Sequence, residues 1–194
     1  MIRNSTEILA SLSHYANPNM KLKRLVAEGQ LYRLRRGLYA TKKNIPPYLL
    51  AGAIYGPSYV SFESALSLHG LIPERVYACT SATFGKNRSK NYKNEYGVFY
   101  YRDVPESVYP AGVCWQQEGE WGYAVALPEK ALCDMLYIKP PVYSLKALKE
   151  LLFDDLRIDE DEFWGLKRED ICRLVPFYHK RNLSLLGKLL QTGR

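Results

Sequence analysis

An α+β fold is predicted by three observations on this chain of 194 residues. The apolar pattern of the first 45 residues runs helix, helix, hairpin. The remainder mixes short strand-like segments with helices and closes on a helical tail. The composition, 47% hydrophobic and 24% charged, is that of a chain able to bury a core. The predicted architecture is an N-terminal winged helix-turn-helix over residues 1–45, followed by a larger mixed α/β domain over residues 46–194 with a helical C-terminal tail. That length suits one small and one medium domain.

The first helix is set by Asn4-Ser-Thr-Glu7, the pattern of a capping box in which Asn accepts from the backbone and Glu reaches back. Ile8, Leu9 and Leu12 follow on one face, and the helix is expected to end near Tyr15. Asn17-Pro18 starts a second helix, with Asn as N-cap and Pro at the first helical position. Leu22, Leu25 and Val26 form its apolar stripe, and Gly29 ends it as a left-handed cap. With that stripe turned inward, Met20, Arg24 and Ala27 face outward, flanked by Lys21 and Lys23. Such a helix suits the major groove, where Lys and Arg meet phosphate or the acceptor edge of guanine. The amides near Asn17 and Asn19 are a further place for a phosphate.

Gln30 to Ala40 then reads as a tight hairpin. Leu31 and Leu34 flank Tyr32 and Arg33, the turn is Arg35-Arg36-Gly37, and Leu38 and Tyr39 follow. Cations at such a tip touch backbone or minor groove and position a protein without reading many bases. The candidate DNA-contacting residues are therefore Lys21, Lys23, Arg24, Arg33, Arg35, Arg36, Lys42 and Lys43.

Charge placement points the same way. Up to Lys43 there are nine Lys and Arg against Glu7 and Glu28, a surplus of seven; the other 151 residues hold 18 cations and 18 anions. The whole net charge of +7 thus sits in less than a quarter of the chain, which favours a polyanion partner for that piece. A solvated basic face without a partner is the plainer alternative, as is a hairpin packed on two structural helices.

The larger part opens after Pro46-Pro47. Tyr48 to Tyr55 reads as an apolar helix ending at Gly56-Pro57. Ser61 is read as the N-cap of a helix over Phe62 to His69, closed by Gly70. No GxSxG pattern accompanies Ser58 or Ser61, so both hydroxyls are assigned to capping rather than to nucleophilic chemistry. Val76 to Thr83 and Val98 to Arg102 read as strands, and Gly112 to Gln117 and Tyr123 to Ala126 as a hairpin around Glu118-Gly119-Glu120. The aromatics Phe99, Tyr100, Tyr101, Trp115, Trp121 and Tyr123 are read as sheet and core residues, with a base-stacking platform as the alternative. A second basic patch, Lys86, Arg88, Lys90, Lys93 and Arg102 against Glu95, is placed on a loop over residues 86–93. It extends the DNA footprint, faces RNA or a protein, or is merely solvated.

Pro128 opens a helix with Ala131, Leu132, Met135 and Leu136 inward. Glu129 and Asp134, five apart, fall off one helical face and are read as surface or capping carboxylates. The tail is read as helices over Ser144–Leu152, Asp159–Trp164, Arg168–Val175 and Asn182–Leu190, with the acidic run Asp159-Glu-Asp-Glu162 at a helix N-terminus. Cys79, Cys114, Cys133 and Cys172 form no CxxC pair and are read as reduced, mostly buried thiols, with a disulfide pair as the lesser alternative. His14, His69 and His179 are as scattered, so neither a metal site nor a cofactor is expected. With no run of 18 apolar residues and no secretion signal in Met1 to Leu12, a cytoplasmic location is expected.

Three blocks of the chain resemble a known family. Arg24-Leu-Val-Ala-Glu-Gly-Gln-Leu-Tyr-Arg-Leu-Arg-Arg-Gly-Leu-Tyr39 is similar to the start of the AbiEi-type antitoxins, described as transcriptional regulators of viral defence systems. Tyr55-Gly-Pro-Ser-Tyr-Val-Ser-Phe-Glu-Ser-Ala-Leu-Ser-Leu-His-Gly-Leu-Ile-Pro-Glu-Arg-Val76 resembles their middle block, and Ala126-Leu-Pro-Glu-Lys-Ala-Leu-Cys-Asp-Met-Leu-Tyr137 a later one. The resemblance implies the antitoxin of a two-gene, type IV toxin–antitoxin or abortive-infection pair. It implies a winged helix that binds repeats in the operon's own promoter and represses it. It also implies a C-terminal domain that counteracts a nucleotidyltransferase-like toxin, usually without a stable complex. Many members carry three helices before the hairpin. Here one short helix precedes the basic one, so the underside of the unit needs cover from the second domain or a partner subunit. Such regulators often dimerise, and a homodimer is among the candidate assemblies, although no apolar seam marks where.

Two alternatives of other classes stay open. One is a nucleic-acid-processing enzyme with a winged-helix targeting module, against which stands the absence of a carboxylate cluster and of a Gly-rich phosphate loop. The other is a protein-interaction module. No catalytic residue is assigned.

Overall fold

The structure is a computed structural model that describes residues 2–193. It is a mixed α+β protein with two sheets, each flanked by helices.

The first sheet belongs to the N-terminal unit. Strand β1 (Ile2–Asn4) runs into α1 (Ser5–Ser11), then α2 (Pro18–Ala27), then the hairpin of β2 (Tyr32–Arg35) and β3 (Leu38–Ala40). The capping box at Asn4 and Glu7 forms in full: Glu7 N–H donates to Asn4 Oδ1 at 2.8 Å, and Asn4 N–H to Glu7 Oε2 at 3.2 Å. Helix α1 ends at Ser11, earlier than the predicted Tyr15, and the chain turns on through residues 12–14. Asn17 caps α2 with Pro18 in its first turn, and Gly29 has a φ of +69°, the left-handed conformation that glycine adopts without cost.

Strand β1 was not predicted. It pairs antiparallel with β3, Ile2 opposite Ala40 and Asn4 opposite Leu38, so the strand order is β1-β3-β2. Three residues are too few for an alternation signal. Ile8, Leu12, Leu22 and Leu31 form a small core between the helices and this sheet. Leu34 and Ala40 belong instead to the main core of the larger part, with Ile2 and Leu38 packed against it. The underside that needed cover is thus covered by the second part of the same chain.

That part is built on a six-stranded mixed sheet. Its strands are β4 (Tyr59–Val60), β5 (Cys79–Phe84), β6 (Lys90–Asn94), β7 (Gly97–Val104), β8 (Val113–Glu118) and β9 (Trp121–Ala126), in the order β6-β7-β5-β4-β9-β8. β5 and β7 run parallel, as do β4 and β9; the other neighbours are antiparallel. The predicted strand over 76–83 begins only at Cys79. The predicted loop over 86–93 is corrected: Lys90–Asn94 is an edge strand, paired with β7 from Lys90 opposite Tyr101 to Asn94 opposite Gly97. Its polar sequence hid it, because an edge strand needs no apolar face to gain a backbone ladder.

The helices are α3 (Pro47–Ile54), α4 (Phe62–Leu68), α5 (Pro128–Ile138), α6 (Leu145–Lys149), α7 (Glu160–Gly165), α8 (Arg168–Tyr178) and α9 (Arg181–Thr192). A π-helical turn over Glu150–Asp155 follows α6 where an α-helix to Leu152 was predicted. Asp159 caps α7 by accepting from Asp161 and Glu162 N–H, both at 3.0 Å. Helix α5 is buried on every side from Glu129 to Leu136. Gly112, with φ +72°, lies against it so closely that a Cβ there would fall 2.8 Å from Lys130 Cβ.

Candidate nucleic-acid interface

Of the eight predicted contact residues, Lys23, Arg24, Arg33, Arg35, Arg36, Lys42 and Lys43 are exposed and Lys21 is half-buried. They occupy three places: the outer side of α2, the hairpin β2–β3 with its tip, and the segment just after β3. On α2 the predicted division holds, with Leu22 buried, Leu25 and Val26 half-buried, and Met20, Lys23, Arg24 and Ala27 exposed. On β2 the half-buried Tyr32 and buried Leu34 alternate with exposed Arg33 and Arg35, and the register slips between the two arginines, which marks a bulge near the tip. A bulge of this kind bends and twists the ribbon it interrupts.

Only one of these cations is engaged in an ion pair among the described residues. Arg24 Nε meets Glu28 Oε1 at 2.6 Å, one helical turn on. Arg24 still exposes 72% of its side chain, so its remaining donors face solvent. Lys21 Nζ sits 5.2 Å from the centre of the Tyr15 ring. Of the amides proposed for phosphate, Met20 N–H is already taken by Asn17 Oδ1 at 3.1 Å. Arg3, left out of the predicted set, stands opposite Tyr39 on β1, and Arg33 stands opposite Tyr39 on β2. The three side chains therefore form a cross-strand row with two guanidinium groups, visible only once β1 is known.

The hairpin is tied to the larger sheet. Asn94 Nδ2 donates to Leu34 C=O at 3.0 Å, Tyr96 O–H donates to Lys42 C=O, and the Tyr32 and Tyr96 rings meet edge to face at 6.2 Å. Lys42 and Lys43 are thereby held next to the turn that joins β6 and β7.

The second basic patch divides into free and engaged cations. Lys90 and Lys93 are exposed on β6 and have no ion-pair partner among the described residues. Arg88 Nε donates to Tyr55 O–H at 3.2 Å, and Lys86 Nζ lies 5.7 Å from the centre of the same ring. Arg102 is paired: its Nη1 donates to both carboxylate oxygens of Glu63, at 3.0 and 2.8 Å, and its guanidinium lies over the Phe62 ring. Asp103 accepts from Thr83 O–H and from the backbone N–H of Lys86 and Asn87, which fixes the turn before β6.

A second constellation was missed, and two expectations fall with it. Asp134 and Glu129 are not surface carboxylates: they are 0% and 6% exposed. Asp134 Oδ1 accepts from Lys130 Nζ at 2.8 Å and Tyr178 O–H at 2.6 Å, and Oδ2 from Ser61 O–H at 2.7 Å and Tyr59 O–H at 2.9 Å. Glu129 takes Lys167 N–H at 3.0 Å. Nor does the Ser61 hydroxyl cap α4, since it is spent on Asp134; Thr80 Oγ1 accepts from the Ser64 N–H in the first turn instead, at 2.9 Å. Ser58 Oγ is buried without a partner. Burial lowers the Lys130 pKa against the pull of Asp134, and burial beside Asp134 pushes the Tyr59 and Tyr178 hydroxyls well up. Four hydrogen bonds saturate one carboxylate here, and Lys130 has no exposed surface. The cluster ties α5 to β4 and α8 and offers no atom to a ligand.

All four cysteines are free: Cys79 and Cys133 are buried, Cys114 half-buried and Cys172 exposed. Among the described residues no His, Cys, Asp and Glu side chains group as metal ligands would. Among the described residues no helix is long and apolar enough to cross a membrane. Comparison with protein-family models finds no match for the chain, and comparison with curated proteins finds none either.

Proposed function

We propose that the chain is a DNA-binding antitoxin and transcriptional repressor, which autoregulates a type IV toxin–antitoxin operon and counteracts a nucleotidyltransferase-like toxin. One observation carries the DNA-binding half of this reading. The unit bearing the whole net charge presents a basic helix and a hairpin with a basic tip, and seven of its eight candidate cations are free of ion pairs among the described residues. A like-charged cluster with no internal partner is relieved by an external anion, and a rigid helix beside a ribbon matches a duplex groove and its flanking backbone. In this reading α2 enters the major groove as the reading helix of a winged helix-turn-helix. The tip arginines Arg35 and Arg36 hold the adjacent backbone. The antitoxin half rests on the resemblance of the three sequence blocks to AbiEi-type proteins.

The test is a titration of the full chain with duplex DNA from upstream of its own gene, at several salt concentrations. Six phosphate contacts give a log–log salt slope near −5, at about −0.9 per contact. Arg35→Glu with Arg36→Glu weakens binding to all sequences alike, whereas Arg24→Ala also changes sequence preference. A chain that binds no duplex at low salt, or an Arg24→Ala variant unchanged in both affinity and preference, refutes the assignment. The antitoxin half is tested by co-expression with the product of the neighbouring gene: growth rescue supports it, and unrelieved toxicity removes it.

A further inference from the structure

Two neighbouring clefts lie along β6–β7, and the residues that line them do not take part in the duplex reading above. The larger, about 480 Å³, is lined by Arg88, Arg102 and Lys139 together with Ser89, Glu63 and Asp103. The smaller, about 340 Å³, is lined by Ser89, Lys90, Asn91, Tyr100, Tyr101 and Arg102. They meet at Ser89 and Arg102, which line both, and each is within the size range of small-ligand sites.

Strand alternation decides what these clefts present. Tyr100 and Arg102, two residues apart on β7, share one face, and Asn91 stands opposite Tyr100 in register on β6. Phe99 and Tyr101, on the other face, are buried. Tyr100 is 41% exposed, so of its reading as a sheet and core residue only the place in the sheet, on β7, holds. The result is an accessible aromatic ring with a side-chain amide beside it on the neighbouring strand.

The charges divide in a way that leaves the cations outward. Asp103 is consumed by three donors from Thr83, Lys86 and Asn87. Glu63 is consumed by Arg102 Nη1, while Arg102 Nε and Nη2 have no partner among the described residues. The Glu63 contacts, with the Phe62 ring centre 5.3 Å from Cζ, position the guanidinium in advance. Lys139 and Arg88 make no ion pair among the described residues and line the same cleft, Arg88 with its Nε on the Tyr55 hydroxyl. A preset guanidinium with a free edge is the bidentate partner of a phosphate.

We propose that these clefts form a nucleotide site, with an unpaired base stacked on Tyr100, its edge bonded to Asn91, and its phosphate held by Arg102, Arg88 and Lys139. The shared chemistry is that of a nucleoside phosphate, supplied either by a single strand or by a free nucleotide. The site is separate from the proposed duplex surface on α2 and the β2–β3 tip.

The test uses the full chain with two probes, a labelled thymidylate strand of about ten nucleotides and free thymidine monophosphate. Tyr100 is a surface residue, so Tyr100→Ala leaves the fold intact, as circular dichroism checks, and Tyr100→Trp restores a ring. The strand binds the wild type. Tyr100→Ala weakens it about 5- to 150-fold, the range of one base–aromatic stack, and Tyr100→Trp restores it. Arg88→Gln with Lys139→Gln flattens the salt slope by about 0.7 per lost contact. Displacement of the strand by thymidine monophosphate in the wild type alone assigns the free nucleotide as source; binding of the strand alone assigns single-stranded nucleic acid. The proposal is overturned if neither probe binds, or if strand binding survives Tyr100→Ala and is lost instead in Arg35→Glu with Arg36→Glu. Upstream duplex binding is unchanged in Tyr100→Ala, so failure of this site and failure of the repressor reading give different results.

Discussion

Lys130 Nζ lies 2.8 Å from Asp134 Oδ1, one turn apart on α5, and neither side chain has any exposed surface. A buried pair of this kind contributes little net stability against well-packed apolar residues, but breaking it leaves a charge stranded in the interior. Asp134→Ala is therefore expected to cost about 3–5 kcal/mol in urea unfolding. The double variant Lys130→Met with Asp134→Leu should recover only part of that loss, because the buried hydroxyls of Tyr59, Ser61 and Tyr178 then lose their acceptor. A single variant as stable as the parent would mean that water reaches the site.

The tyrosines predict alkaline lability. Burial raises Tyr48 and Tyr96 to about 12, and raises Tyr59, Tyr101, Tyr123 and Tyr178 as well. A folded-state pKa above the unfolded value near 10 means that the unfolded chain releases its protons first. Stability is then complete below about pH 10 and falls as pH rises through the folded values. Lys130, with its pKa lowered by burial, acts in the opposite sense, as one group against the six tyrosines and the raised thiols of Cys79 and Cys133. Urea midpoints measured across this range should fall, in step with tyrosinate absorbance. A flat midpoint would remove the claim.

Thiol reactivity should separate the four cysteines. Burial holds Cys79 at about 12 and pushes Cys133 up, while Cys172 is exposed. Only the thiolate attacks an alkylating reagent. Cys172 is expected to label first in the native protein, and Cys79 and Cys133 only on unfolding, as mass spectrometry of labelled peptides reads directly.

The hairpin depends on distant partners for its orientation. Asn94→Ala and Tyr96→Phe each remove one hydrogen bond to it, at about 0.5–1.5 kcal/mol apiece. Neither variant changes a candidate contact residue, yet both should raise hydrogen exchange across residues 32–42. Unchanged exchange would show that packing alone holds the ribbon.

What was legible in the sequence was local. The Asn4–Glu7 box, the Asn17-Pro18 start and the Arg36-Gly37 tip each declare themselves within four residues, and all appear in the structure. The basic candidates were legible because charge needs no partner to be exposed. Asp134 was not, because its meaning comes from Tyr59, Ser61 and Tyr178, which lie 75, 73 and 44 positions away. Helical spacing correctly removed Glu129 as its companion, and then had no means of supplying the true ones. Strand β6 failed differently: its lysines describe solvent on one side, and only pairing with β7 makes it a strand.

The pairing of β1 with β3 has a consequence for synthesis. Helices α1 and α2 can close over their small core once the first 31 residues are available. The ribbon beside them gains its outer strand only when Ala40 meets Ile2, and its underside only when the larger part has formed. A nascent chain leaving the ribosome would thus expose all its surplus cations before the scaffold that aims them exists.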